Sequence, residues 1–492
     1  MRPISRREAL GLAGLGGLSV VVGGVGLSRS QPPWRGLADG RDDTLVEPEV
    51  LRSREGRLSV ELVADHREVR IAGRRARLLT YNSSVPGQTW RVRPGDRIEV
   101  RLLNELDTPT NLHTHGLEVS PRDDGDNPFL SIEPGQSFDY RFDLPEDHPP
   151  GVFWYHPHRH GTVADQLFGG LYGAIIVDGD EVPVSRERML VVSDLSLDED
   201  GQVAPVSASE VMMGREGDLL LINGQHQPQL AARPGQRERW RVINACTSRY
   251  LRLAVSGQLM ELLGIDRSQE AAPREVEEVT LAPGNRADLL VTMRAGTTQL
   301  RTLSYDRGGM GGMGGMGRMG RMGGGGLSEA ATLASLTVTG DTATAAPPVP
   351  DRPPVPDLRD QPVAVQREIT FTMSMGAMMS PRRSMMDLGF DGRSFDPDRI
   401  DQEVSLGTVE EWVISNPTPM DHPFHLHVWP MQLIERAGQS VNDPTWRDVV
   451  NVPAQGRVRV LVDFARHPGR SVYHCHILDH EDSGMMASVE VS

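Results

Sequence analysis

The sequence predicts an all-β chain of three consecutive Greek-key sandwich or barrel units, and three observations predict it. From about residue 57 onward, short β-prone runs are cut by Pro/Gly turns. One turn-and-strand unit, Thr89-Trp90-Arg91-Val92-Arg93-Pro94-Gly95-Asp96-Arg97-Ile98-Glu99-Val100-Arg101-Leu102, returns as Arg233-Pro234-Gly235-Gln236-Arg237-Glu238-Arg239-Trp240-Arg241-Val242 and again as Gly407-Thr408-Val409-Glu410-Glu411-Trp412-Val413-Ile414. The echoes lie one sandwich domain apart. Finally, the stretch from Ala345 to Pro356 is too proline-rich for a central strand and reads as a stiff extended linker. The expected units are residues 45–180, 181–345 and 362–492, with the linker at 346–361.

The N-terminus precedes the first unit. Ser5-Arg6-Arg7-Glu8-Ala9-Leu10 opens a Gly-rich apolar stretch to residue 27, which reads as a twin-arginine export signal over residues 1–30 rather than a spanning helix. The expectation is a monomer delivered by the twin-arginine export machinery to the periplasm or the extracellular cell envelope, without stable membrane insertion. The net charge of -16 argues against a nucleic-acid partner. Only Cys246 and Cys475 are present. No disulfide framework is expected; Cys246, in a strand-like run, reads as a buried small hydrophobe.

The second unit ends in a low-complexity loop, Gly308 to Gly326, with Met310, Met313, Met316, Met319 and Met322 at three-residue spacing. So many glycines cannot hold a helix. A second cluster, Met373, Met375, Met378, Met379, Met385 and Met386, opens the third unit.

Ten of the fifteen histidines fall in four clusters: His113-Thr114-His115, His156-Pro157-His158, His422-Pro423-Phe424-His425-Leu426-His427, and His474-Cys475-His476 with His480. On a strand, residues two apart point to one face and the residue between them to the other. His474 and His476 therefore look one way and Cys475 the other. Cys475, His480 and Met485 are the soft donor set of a blue-copper electron-transfer centre, and His422, on the opposite side of its strand from His425, can join them. Four imidazole pairs suffice for three further metals at low coordination, with room for a small ligand such as dioxygen. His66, His148, His226 and His467 lie outside these clusters, and His160 reads as a surface residue or a neighbour of the site.

With these four motifs the mature chain resembles the multicopper oxidases, the three-cupredoxin family that includes laccases and bacterial cuprous oxidases. The resemblance implies three cupredoxin-like domains and four copper ions. Type 1 copper would be held by His422, Cys475, His480 and axial Met485, and type 2 copper by His113 and His425. The type 3 pair would take His115, His156, His158, His427, His474 and His476. It also implies four one-electron oxidations of substrate, passage of electrons through Cys475 to His474 and His476, and reduction of O2 to water. Protons would come through Glu481 and through Asp124, with Asp126 as its rival. One departure is that the glycine common after the third histidine motif is Val428 here.

The substrate is read from softer signals. Thioethers suit Cu(I), and the two methionine clusters resemble the insertions of cuprous oxidases. Cu(I) is the favoured reductant, with Met375, Met420 and Asp421 as candidate substrate residues. The alternatives are a laccase acting on phenols or aromatic amines, and a non-catalytic copper-binding protein, which has no need of so complete a ligand set.

Overall fold

Alternation along each strand is what the repeated unit encodes. In Arg97–Asn104, Ile98, Val100, Leu102 and Asn104 are buried, and the positions between them are not, the period of a strand with one face on a core. The computed structural model describes residues 44–179, 181–309, 327–353, 355–375 and 386–492. Residues 1–30, read from the sequence as an export signal, the five methionines from Met310 to Met322, and Met378, Met379 and Met385 lie outside them. No helix among the described residues is long and apolar enough to cross a membrane.

The run from Thr89 to Leu102 is two strands rather than one. Thr89–Val92 and Arg97–Asn104 belong to different sheets, because Gly95, at φ 82°, turns the chain between them. The same topology is then built three times. Arg97–Asn104 runs parallel to Arg57–Ile71, Arg237–Asn244 to Arg186–Leu195, and Val409–Asn416 to Val363–Met375. Parallel neighbours need a crossover, and each crossover contributes strands to a second, five-stranded sheet. The two sheets of each unit close over one apolar core, which contains Trp90 in the first, Trp240 in the second and Trp412 in the third. The chain is thus all-β, with three consecutive sandwich domains.

The second and third units share a buried device. Arg188 donates to Glu238 at 2.5 and 2.9 Å while Trp240 Nε1 donates to the same carboxylate at 2.9 Å. Arg367, Glu410 and Trp412 repeat it at 2.6, 2.8 and 2.9 Å. In the first unit the corresponding pair is Val60 opposite Val100, and packing alone closes that core.

The histidine motifs sit on the five-stranded sheets of the first and third units. His113–His115 pairs with Gly151–His156, and His422–Leu426 lies between Gly469–Cys475 and Val449–Val452. His158, His427 and His476 fall just past the ends of their strands. Val428 follows at φ 63°, a left-handed conformation that costs a β-branched residue energy and a glycine none. Its side chain is packed in the third core, which offsets that strain.

Tyr155, next to His156, stacks on Trp90 with ring centroids 3.9 Å apart and lies opposite Gly173. A Cβ at Gly173 would sit 2.2 Å from the Tyr155 ring. Gly173→Ala is expected to push Tyr155 off Trp90 and destabilise the fold by about 1–3 kcal/mol, as overpacking does. Thermal unfolding measures this; an unchanged midpoint would mean the ring has room to move.

Candidate metal centre

Eight imidazoles converge where the first and third units meet. His158 and His474 approach Nε2 to Nε2 at 3.0 Å, His427 and His474 at 3.2 Å, and His113 and His425 at 3.4 Å. His113 stacks on His427 at 3.8 Å, and His115 on His425 at 3.9 Å. His156 and His476 close the cluster, with rings 5.8 Å apart. All eight are buried. His160 stays outside and packs against Phe395.

The remaining ring nitrogens decide what the cluster offers. Nδ1 lies 2.8 Å from an Asp126 oxygen in His113, 2.8 Å from the Pro157 carbonyl in His156, 2.7 Å from the Asp448 carbonyl in His425 and 3.0 Å from the Cys475 carbonyl in His474. A neutral imidazole donating from Nδ1 presents a lone pair at Nε2. For His113 and His425 the close Nε2 pair therefore sets lone pair against lone pair, while the Nε2 atoms of His158 and His427 face the Nε2 lone pair of His474.

A second donor set lies behind the strand Gly469–Cys475. Cys475 Sγ is 3.4 Å from His422 Nδ1 and 3.9 Å from His480 Nδ1. Each imidazole is held from its far side: His422 Nε2 meets Thr418 Oγ1 at 2.9 Å, and His480 Nε2 meets the Met212 carbonyl of the second unit at 3.0 Å. Met485 belongs to the same core, its N–H donating to the His480 carbonyl and its carbonyl accepting from Cys475 N–H. His480 and Glu481 ride on a short helix, Leu478–Asp482, that strand-period reading did not anticipate.

Two sequence expectations need correction. Asp124 is exposed, and its carbonyl is taken by the Arg141 N–H at 2.8 Å. The turn closed by Gly125 N–H on the Arg122 carbonyl sends Asp124 outward and turns Asp126 in. Asp126 is the carboxylate on His113, and burial raises its pKa to about 7 against hydrogen bonds from Thr114. Met420 and Asp421, the candidate substrate residues next to His422, are not presented to solvent. Met420 is packed in the third core. Asp421 is buried, and its oxygens accept from Tyr305 at 2.6 Å, Asn451 at 2.9 Å and Ala454 N–H at 2.8 Å. Met375 ends the strand Val363–Met375; its side chain lies outside the description. Glu481 meets the other side of the cluster, 3.2 Å from His474 Nδ1. Neither of its oxygens has a hydrogen-bond partner, and burial pushes its carboxyl well above the ordinary range. Thr418, Asp448 and the Met212 carbonyl escaped sequence reading because their contacts with the motifs are set by the tertiary fold.

These residues fit copper. Buried nitrogens of His115, His156, His158, His427 and His476 have no hydrogen-bond partner, a cost that a bound cation removes. Burial, reinforced in most by neighbouring imidazoles, holds all ten rings below their ordinary pKa, His156 at about 3 and His474 and His480 at about 4. They are neutral near pH 7, as metal ligation requires. Burial also raises the Cys475 thiol, so a thiolate there needs a soft cation beside it.

The linkage has a clear sign. Each ring binds fewer protons folded than unfolded between pH 6.5 and its depressed folded pKa, so stability falls as pH drops through that window, by about 1.4 kcal/mol per pH unit per ring. Acids with raised pKa values, Asp126, Asp266, Glu481 and Asp482 among them, act the opposite way, but the depressed histidines outnumber them. Metal-free protein is expected to need less denaturant to unfold at pH 5 than at pH 7. The reverse order would mean that the rings are solvated.

Comparison with known proteins agrees with this donor set. Multicopper oxidase family models match residues 64–182, 190–300 and 362–492. A multicopper oxidase of Staphylococcus haemolyticus is 25% identical over 84% of each chain. A solved multicopper oxidase from Campylobacter jejuni, described as a metallo-oxidase, is 30% identical with a TM-score of 0.78, over 92% of this chain and 95% of that one. A laccase structure from Pediococcus acidilactici is 26% identical with a TM-score of 0.76, over 91% and 93%. The chain belongs to the multicopper oxidase family: it is a copper-dependent oxidoreductase that couples a reductant to O2.

Proposed function

We propose that the chain binds four copper ions and oxidises Cu(I) with O2. The type 1 ion is assigned to His422, Cys475, His480 and Met485, and the type 2 ion to His113 and His425. The type 3 pair is assigned to His115, His156, His158, His427, His474 and His476. Copper, when bound, supplies the one-electron chemistry and dioxygen reduction that these side chains lack. The chain's own contribution is geometry and protons. Thr418 and the Met212 carbonyl orient His422 and His480. The peptide links from Cys475 to His474 and His476 join the two donor sets covalently. Asp126 and Glu481 bring carboxyl groups to different histidines of the cluster, for the four protons that O2 needs on the way to two waters.

The observation that carries the Cu(I) reading is where the methionine-rich insertion is rooted. Tyr305–Asp306 pairs with Leu327–Ser328 at its two ends. Gly308 bridges to Met420, and the Asp421 N–H donates to the Arg307 carbonyl at 2.7 Å. Met420 and Asp421 directly precede His422. The insertion is thus rooted beside the segment that leads into a proposed type 1 ligand, where a thioether-bound Cu(I) would be delivered. The Campylobacter relative, described as a metallo-oxidase, supports the same reading. The second reading, a laccase, draws on a cleft of ≈ 550 Å³ beside Met213, Gly214 and Arg307 that has room for a small aromatic, and on the Pediococcus relative. The Arg6-Arg7 segment supports export by the twin-arginine route to the periplasm or cell envelope.

Two experiments decide. Deleting residues 310–326 is expected to lower steady-state Cu(I) oxidation at least tenfold while dimethoxyphenol oxidation falls less; unchanged Cu(I) turnover with phenol the faster substrate would favour the laccase. Cys475→Ser is expected to abolish the blue absorption and reduce oxidation of both substrates to background. Retained activity would sink the covalent link between the donor sets.

A further inference from the structure

The second unit supplies no member of the imidazole cluster, yet it reaches the cluster through one side chain. Arg286 is fully buried, and Asp448 of the third unit is 3% exposed. The two are joined as a fork: Arg286 Nη2 donates to Asp448 Oδ2 at 2.6 Å, and Nη1 donates to Oδ1. Arg286 Nε donates to the Val152 carbonyl of the first unit at 3.0 Å, and its main-chain N–H is held by Asp266 at 3.0 Å. One guanidinium therefore ties all three units together at the cluster's edge.

Asp448 uses that anchorage on two histidines. Its Oδ1 lies 3.0 Å from His115 Nε2, and its main-chain carbonyl accepts from His425 Nδ1 at 2.7 Å. These are the two rings stacked at 3.9 Å with only 3° between their planes. One residue therefore sets the orientation of a pair assigned to different copper sites. For His115 it also sets the tautomer. A carboxylate already bonded to arginine can only accept from Nε2–H, which leaves Nδ1, buried and without a partner, as the nitrogen this ring offers. In His113, His156, His425 and His474 the offered nitrogen is Nε2.

Local packing around the pair is tight. A Cβ on Gly116, the residue after His115, would lie 2.6 Å from Arg286 Nη2 and 2.8 Å from Asp448 Oδ2. A Cβ on Gly284, two residues before Arg286, would lie 2.9 Å from the His476 ring. Asp448 is itself close enough to His115 and His425 to be counted as a metal donor. Both its oxygens are engaged by a guanidinium, however, and a second cation there would meet that charge at short range.

We propose that Asp448 and Arg286 are positioning residues of the copper cluster, with Asp448 fixing His115 to ligate through Nδ1 and Arg286 holding Asp448 in place from the second unit. This rests on the copper assignment above. The test combines metal-free and metal-loaded measurements. In metal-free wild type, nitrogen-15 NMR of the histidine rings is expected to find His115 protonated at Nε2; protonation at Nδ1 overturns the proposal whatever the variants do. In the double variant Arg286→Met with Asp448→Leu, both members of the fork are removed together, and Asp266, which also faces Arg286 at 3.3 Å, keeps its hydrogen bonds from Asn285. Its metal-free unfolding midpoint is expected to stay within a few degrees of wild type, while bound copper falls from four per chain to three or fewer. The type 2 electron paramagnetic signal is expected to change, and turnover to drop about 10–100-fold. Arg286→Lys, which keeps the charge but loses the fork, should fall between the two. Full copper content with an unchanged signal in the double variant would reduce the pair to a structural tie. Wild type that binds no copper would instead defeat the copper assignment itself.

Discussion

Everything in the site follows from sealing imidazoles away from water. Ten rings of the four motifs are buried, and a charged imidazole in such surroundings is heavily penalised. The rings are therefore neutral, each with one nitrogen as donor and one as a bare lone pair. In the cluster several donors are already spoken for, by Asp126, by the Pro157 and Cys475 carbonyls and by both ends of Asp448. What remains includes the facing lone pairs of His113 and His425 at 3.4 Å, and ring nitrogens of His115, His156, His158, His427 and His476 that have no partner. Water could satisfy a few such nitrogens; only cations satisfy them together.

The three units divide this work unequally. The first and third supply the rings, because their five-stranded sheets present paired motifs at the same junction. The second supplies what holds the rings still: the Met212 carbonyl on His480, the bare backbone of Gly284 against His476, and the Arg286 fork on Asp448. This accounts for a unit that has the same topology and a core as large as its neighbours, yet no histidine motif. A ligand must be of a particular residue type. A support need only be a carbonyl, a gap or a charge at the right place.

That division also sets how much was legible in the sequence. Strands, the threefold repeat and the paired histidines could be read because each is a local pattern with the period of a strand. The separate facing of Cys475 and His474 could be read for the same reason. Asp126 was visible only as a rival of Asp124, since residues 122–127 form one turn and nothing in its composition tells which carboxylate points in. The burial of Met420 and Asp421 could not be read, because proximity to His422 in sequence carries no information about burial. The short helix under His480 was hidden in a motif read as strand. Arg286 and Asp448 were illegible: 162 residues separate them, and 333 separate His115 from Asp448.

The two buried acids show how position alone can divide a task between like groups. Asp126 accepts hydrogen bonds from Thr114 and meets His113, and these contacts stabilise its charge enough to hold its pKa at about 7. Glu481 is equally buried but has no hydrogen bond to either oxygen, and a neighbouring Asp482 disfavours its charge further. At neutral pH Asp126 is poised between its two forms, and burial shifts Glu481 further toward its protonated form. In the proposed reaction Glu481 is thus the group that has a proton to give, and Asp126 the group that can release one and be recharged within the physiological range. They meet the cluster through different histidines, His474 for Glu481 and His113 for Asp126. In the proposed reaction each carboxyl group also has a second imidazole within reach, His158 at 3.6 Å from Glu481 and His427 at 3.9 Å from Asp126, so the two acids serve the cluster through different rings.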